Sequence, residues 1–310
     1  MEIDFGLIGT ITSDEITFDS GQTIRGLGGV LYQAAILCGL GKQVHLYTNL
    51  GEELVQDVEK TVENWPSFRR EGLCQVPGAG NQVHLHYPEK GERVETLRSV
   101  VPPLNPRQVI EDMRKLGMLI LIINSGFDIE LSDWRKIAAS AKIPVWLDIH
   151  SLPLSKELNV PRKYLPLTEG KKWIEGVSFI QVNEKEMSSM LGDPDKRYSE
   201  DDAFAFGEEA FNLGVKAVFV TMGKEGVLVM TPEESKRIRS TEVKSVVDTT
   251  GCGDVFCGGA AVKLAEGQDP FTAASCGLEL ATEAVSIKGI EETYMLAHRH
   301  REKEKQSNVY

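Results

Sequence analysis

The stretch Ser245–Gly267, SVVDTTGCGDVFCGGAAVKLAEG, decides how this chain is read. A short apolar run ends at Asp248. Thr249, Thr250, Gly251 and Gly253 follow, then Asp254, and an apolar, helix-like run begins. The spacing predicts a helix from about Asp254. The first turn of a helix presents unpaired N–H groups and partial positive charge. Gly251-Cys252-Gly253 can turn its N–H groups toward one point, because glycine tolerates the dihedrals of such a nest. Together these make an anion-binding arrangement. An acid inside it has two readings. Asp254 is a helix cap, a common role for Asp, or it is a general base beside a phosphate cradle.

A carboxylate next to an anion is electrostatically awkward unless it takes a proton during the chemistry. Phosphoryl transfer to a hydroxyl is such chemistry: the base deprotonates the acceptor while N–H dipoles stabilise the moving phosphoryl group. Two other phosphate motifs are absent. No Gly-Lys pair completes GxxxxGK[ST], and the two partial GxGxxG runs fail at Phe256 and Leu31.

Working outward, the chain has 310 residues, 41% of them hydrophobic and 26% charged, which suits a globular protein with a sizeable core. A net charge of −12 argues against nucleic acid as a partner. It does not exclude an anionic small molecule, since local dipoles override the global sign. No apolar run approaches the ~20 residues of a membrane span, and the acidic N-terminus lacks a secretory pattern. Cys38, Cys74, Cys252, Cys257 and Cys276 are odd in number and form no CxxC pair. They read as reduced thiols of a cytoplasmic protein.

IDFGLIGTI reads as a buried strand, GGVLYQAAILCGLG as a helix closing on glycine, and QVHLYTNLG as a strand. Gln82–Tyr87 and Arg93–Leu97 alternate around PEKG, a hairpin with one wet face. From residue 106, helical and continuous apolar stretches take turns, and STEVKSVVD reads as a strand leading into the opening stretch. Such alternation implies a mostly parallel sheet covered on both faces, with ligands beyond its carboxyl ends. The alternating hairpin falls outside that sheet and is read as a small antiparallel flap. The tail HRHREKEKQSNVY is charged and reads as frayed.

DTTGCGDVFCGG resembles the DTxGAGD signature of the ribokinase-like, or phosphofructokinase B, carbohydrate kinases, with Cys252 for the usual Ala. The resemblance spans about residues 3–290. It implies an α/β fold, a three-layer αβα sandwich with a central mostly parallel sheet plus a small antiparallel β lid. One kinase domain would cover 1–295, with lid segments at about 12–26 and 80–100, and a charged tail 296–310. It implies Asp254 as catalytic base and Gly251, Cys252 and Gly253 as the anion hole. Asp248 and Thr250 fall where the family places monovalent-cation (K⁺) ligands.

VNEKE resembles the family's NxxE, as Asn183 and Glu186. Read physically, the pair either organises Mg²⁺ through water or forms a capping box at a helix start. The resemblance adds a nucleotide contact for Asn183. VTMGKEG resembles TxGxxG, so Thr221, Gly223 and Gly226 would contact ATP; a plain glycine hairpin is the alternative. Asp14 and the paired Gly28 and Gly29 would bind the acceptor. Gln33 stands where Asn is usual and reaches ~1.5 Å further by one methylene. His150 and Leu152 replace the Asn and Arg of DxNxR, and Glu53 and Gln56 depart from GxDxxG.

Phosphate-side motifs are therefore better kept than acceptor-side ones. The implied activity is ATP- and Mg²⁺-dependent phosphorylation of a sugar or nucleoside hydroxymethyl, in a homodimer paired through the lid. The alternatives are a catalytically silent sensor on the same fold, and a vitamin- or pyrimidine-type kinase. His84 and His86 share one strand face and form a candidate metal pair without a third ligand. Arg93 and Arg98 flank the flap. Cys252, at a helix N-terminus, is expected to have a lowered thiol pKa and to react with alkylating agents.

Overall fold

The computed structural model describes residues 3–91, 93–197, 199–243 and 245–307. The first half contributes β1 (Asp4–Ile8), β2 (Ile11–Phe18), β3 (Thr23–Gly29), α1 (Leu31–Gly39), β4 (Gln43–Gly51), α2 (Val55–Val62), β5 (Phe68–Arg69), β6 (Leu73–Val76), β7 (Asn81–Tyr87), β8 (Val94–Ser99), α3 (Arg107–Asp112), β9 (Met118–Ile122) and α4 (Leu131–Ser140). The second half contributes β10 (Val145–Asp148), α5 (Gly170–Ile174), β11 (Phe179–Asn183), α6 (Glu184–Met190), α7 (Glu200–Asn212), β12 (Ala217–Thr221), β13 (Val227–Met230), β14 (Ser235–Ile238), α8 (Cys252–Ala265), α9 (Pro270–Ala284) and α10 (Gly289–Ser307).

The large sheet runs β14-β13-β12-β11-β10-β9-β1-β4-β5, with β6 also on β4. Its strands from β12 to β5 are parallel, and β13 and β14 are antiparallel. Strands such as β9, MLILI, are buried throughout because helices cover both faces. On one face Trp146, Phe179 and Phe219 pack with α1, α8 and α9. On the other, Leu147, Ile180 and Val218 pack with α4 and α7. The architecture is a three-layer sandwich. The flap is a second sheet, β3-β2-β7-β8, in which two antiparallel hairpins meet through a parallel β2–β7 pair.

Two expectations are corrected. STEVKSVVD is not a strand: β14 ends at Ile238 and the chain continues irregularly to α8. (Lys244 lies outside the described residues.) Val246 and Val247 are exposed, at 65% and 57%, because β14 is the sheet's edge and offers them no partner. The N–H of Val247 instead bonds Val285 O at 2.7 Å. The charged tail is not frayed through 296–307. It continues α10, with Leu296 and Ala297 buried and Lys263 paired to Glu304 at 2.9 Å. One buried stripe suffices to dock a helix whose other faces are charged. Residues 308–310 of that tail lie outside the described residues.

Candidate active site

The parallel strands end side by side and hand on polar residues there: Asn124 after β9, Asp148 and His150 at β10, Asn183 at β11, Thr221 at β12. Two cavities open above these ends. The larger, about 720 Å³, is lined by Asp148, Asn183, Glu186, Thr221, Gly223, Gly226 and the start of α8. The smaller, about 70 Å³, lies under the lid among Thr12, Asp14, Gly29, Tyr32, Val83 and Asn124. Both include Arg93, Glu95, His150, Thr250, Gly251 and Asp254 in their walls.

At this junction α8 begins at Cys252, two residues earlier than predicted, with Gly251 as N-cap at φ 78°. A Cβ at Gly251 would lie 2.5 Å from the Tyr32 ring, so both the dihedral and the space require glycine there. No side chain among the described residues caps this helix, so Asp254 is not the cap. Its carboxylate is 7% exposed, and Oδ1 has no hydrogen-bond partner among the described residues. Burial pushes its pKa up to about 7, Asp14 adds to that, and its own backbone N–H and Arg93 oppose it. Cys252 goes against expectation. Burial, with Asp248 and Asp254 nearby, pushes its thiol up to about 12, outweighing the helix terminus.

Asn183 and Glu186 form a full capping box on α6: Asn183 Oδ1 accepts from Glu186 N at 2.9 Å, and Glu186 Oε2 accepts from Asn183 N at 2.7 Å. The structural reading of NxxE is thus correct, and the same two residues also line the large cavity. Glu186 is 5% exposed, and burial pushes it up to about 8. Burial and the neighbouring Glu186 raise Asp148 as well. Two buried carboxylates this close favour a shared proton or a cation between them. No group of three or more His, Cys, Asp or Glu among the described residues forms a direct metal cage. The pair fits a cation held through its waters.

In the smaller cavity, Asp14 is raised to about 6 by burial, and its Oδ1 lacks a partner among the described residues. Gly28 lies directly over that side chain, where any Cβ would collide with Asp14 Oδ2. Gln33 departs from expectation. It is fully buried, lines neither cavity, and faces Cys257 of α8. One helical step is a 100° rotation, and it is Tyr32 that turns to the cavity. His150, at φ 39°, lies in the walls of both cavities with Nδ1 on Ser151 Oγ at 2.9 Å, and burial pushes its pKa below the ordinary imidazole value.

Thr221, Gly223 and Gly226 lie at the β12–β13 hairpin turn, as the plain-hairpin alternative has it, and the same three residues wall the large cavity. Asp248 accepts from Thr250 N at 2.8 Å, and Tyr87 of the lid bonds the Thr250 hydroxyl at 3.3 Å. His84 and His86 both bond Thr17 Oγ1, and His86 pairs with Asp19 at 3.1 Å. They tie the lid's strands together on its outer face. Arg93 reaches the cleft, whereas Arg98 pairs outside with Glu15. Thr12, Tyr32, Asn124, Glu95 and Gln181 were missed by the motifs. Asn124 had a signal: it is the first polar residue after a fully apolar parallel strand.

Residues 131–294 match the model of the family described as pfkB family carbohydrate kinase. A deoxyribokinase of Salmonella typhi is 23% identical over 309 residues, covering 94% of this chain and 95% of that protein. An Arabidopsis thaliana ribokinase solved with ribose and ATP superposes with a TM-score of 0.71 at 18% identity, over 96% of this chain and 99% of that one. A Burkholderia thailandensis nucleoside kinase solved with inosine superposes at 0.73 and 18%, over 96% and 97%.

Proposed function

The chain belongs to the pfkB family of carbohydrate kinases, and from that premise we propose that it transfers the terminal phosphoryl group of ATP to a hydroxymethyl group of a sugar or nucleoside, with Asp254 as general base. The observation that carries this reading is the unpartnered, buried Oδ1 of Asp254 at the junction of the two cavities. A carboxylate raised to about 7 is matched to taking a proton near neutral pH. ATP use is supported by the ATP-bound relative, and the acceptor class by the ribose- and inosine-bound ones.

In this reading ATP lies along the large cavity, against Thr221, Gly223, Gly226 and Asn183. The acceptor sits in the small one, held by Asp14 and the backbone at Gly28–Gly29. Asp254 takes the hydroxyl proton as the oxygen attacks. The N–H groups of Gly251 and Gly253, joined by that of Cys252, which here donates to Thr249 O at 3.3 Å, would receive the charge on the transferred group, in the field of the α8 N-terminus. Glu186 and Asp148, with Asn183, would hold the water shell of Mg²⁺, which when bound neutralises phosphate charge. Asp248 and Thr250 are the corresponding groups for a monovalent cation. The lid, tied to Thr250 through Tyr87, would close over the acceptor and exclude water.

The test is an ADP-release screen over sugars, nucleosides and polyols, run on the parent chain and Asp254→Asn. Turnover with one acceptor class that falls ~10³-fold or more in the variant is the expected result. Saturable nucleotide binding with no turnover on any acceptor would instead establish the silent-sensor alternative.

A further inference from the structure

Gln181 is a polar residue in an apolar place. It lies on the face of β11 that carries Phe179, two residues before, and its strand neighbours in register are Asp148 on β10 and Phe219 on β12. It is 3% exposed. An amide so placed costs free energy unless it is hydrogen-bonded. Its Nε2 donates twice, to Asp148 Oδ2 at 3.1 Å and to the Gly253 carbonyl at 3.0 Å. The Gly253 carbonyl can only accept, so it fixes which end of the amide faces it. Its Oε1 is buried without a protein partner among the described residues.

These two bonds join parts of the site that come from distant segments. Asp148 ends a sheet strand and lies beside Glu186. Gly253 is in the first turn of α8, directly before Asp254. Peptide groups are planar, so holding the Gly253 carbonyl from the sheet side fixes the direction of the Asp254 N–H and the position of its Cα. An apolar side chain of the same length would fill the space and leave the first turn of α8 without this tether.

We propose that Gln181 is a positioning residue for phosphoryl transfer, lashing the first turn of α8 to Asp148 so that Asp254 and the neighbouring N–H groups hold their alignment. This rests on the general-base reading of Asp254. Gln181 acts through Gly253 and Asp148 and lines only the large cavity of the two, so its loss lowers kcat and leaves acceptor affinity nearly intact.

The experiment is steady-state kinetics and thermal melting of full-length Gln181→Met, Gln181→Asn and Gln181→Glu, beside Asp254→Asn. The Met variant keeps length without donors. The Glu variant keeps length and offers at most one donor to two partners. The Asn variant is too short to span both partners. Misplacement of a reacting group by ~1 Å costs on the order of 10²-fold, so kcat per folded enzyme should fall about 10- to 100-fold in Met and Glu, and roughly fivefold or more in Asn. KM for the acceptor should stay within about threefold. Should one substitution prevent folding, the other two carry the same expectation. Variants that melt lower yet keep the parent's kcat overturn the proposal and leave Gln181 a packing residue. So does a rise in the acceptor KM at unchanged kcat. If Asp254→Asn keeps its turnover, the base assignment itself falls. If it loses turnover while the Gln181 variants keep theirs, only the positioning role falls.

Discussion

Asp128 and Asp254 are both buried carboxylates at the cleft end of the sheet, 3% and 7% exposed, and they are held in opposite ways. Asp128 Oδ1 accepts from Thr10 N, Thr10 Oγ1 and Asn124 N, and Oδ2 accepts from Ser125 N, Ser125 Oγ and Gly126 N. It closes the loop after β9 onto the turn after β1. Asp254 keeps an oxygen without a partner among the described residues, where the two cavities meet. A satisfied buried acid is structure. An unsatisfied one facing a cleft has hydrogen-bonding capacity left for a group that arrives from outside.

The sharpest way to break this comparison is to neutralise each acid. Asp254→Asn should lose ~10³-fold or more in kcat while melting no lower than the parent, because it removes a buried, poorly compensated charge. Asp128→Ala should do the reverse. It leaves Thr10, Asn124, Ser125 and Gly126 N–H groups buried without their acceptor, at a cost of roughly 3 kcal/mol in urea unfolding. A severe catalytic loss without destabilisation in Asp128→Ala would erase the distinction.

pH sharpens it next. The folded pKa of Asp254 is raised, to about 7, above its ordinary value of 3.8. The folded chain therefore binds this proton more tightly than the unfolded one. The contribution is fully present below about pH 4 and is lost as pH rises through about 7. Within that window, parent stability relative to Asp254→Asn should fall with pH by at most ~1.4 kcal/mol per unit. A difference between the two unfolding curves that does not change with pH would mean Asp254 is ordinary. Activity runs the other way: kcat/KM of the parent should rise up to about 7, as the base loses its proton.

The smallest expected effect is at Cys252. Its thiol is pushed up to about 12, so little thiolate exists at neutral pH, and brief treatment with iodoacetamide should leave activity within about twofold. Rapid inactivation, blocked by ATP, would show that the helix terminus outweighs burial after all.

Much of this was legible in the chain itself. The run of apolar strands and amphipathic helices determined a parallel sheet with two covered faces, because strands such as MLILI can be satisfied only between two layers. DTTGCGD announced a helix mouth with an acid in it, and its glycines left few other uses for the turn. What the sequence could not show was the direction of side chains across segments far apart in the chain. Gln33 looked like an acceptor contact and is buried against α8, since a single helical step gives the cavity to Tyr32. Asn183 and Glu186 looked like either a cap or a cation site, and the geometry forms the cap while leaving both residues in the wall of the large cavity. The tail's charge suggested fraying, yet Leu296 and Ala297 dock it as helix. Asp128 and Asp254 have the same side chain and nearly the same burial. Sequence determines that both are acids at the ends of apolar runs. Only the tertiary structure decides that one is surrounded by donors and the other faces a cleft, because satisfaction depends on how the loop after β9 folds back on Asp128 and brings it to Thr10, 118 residues away.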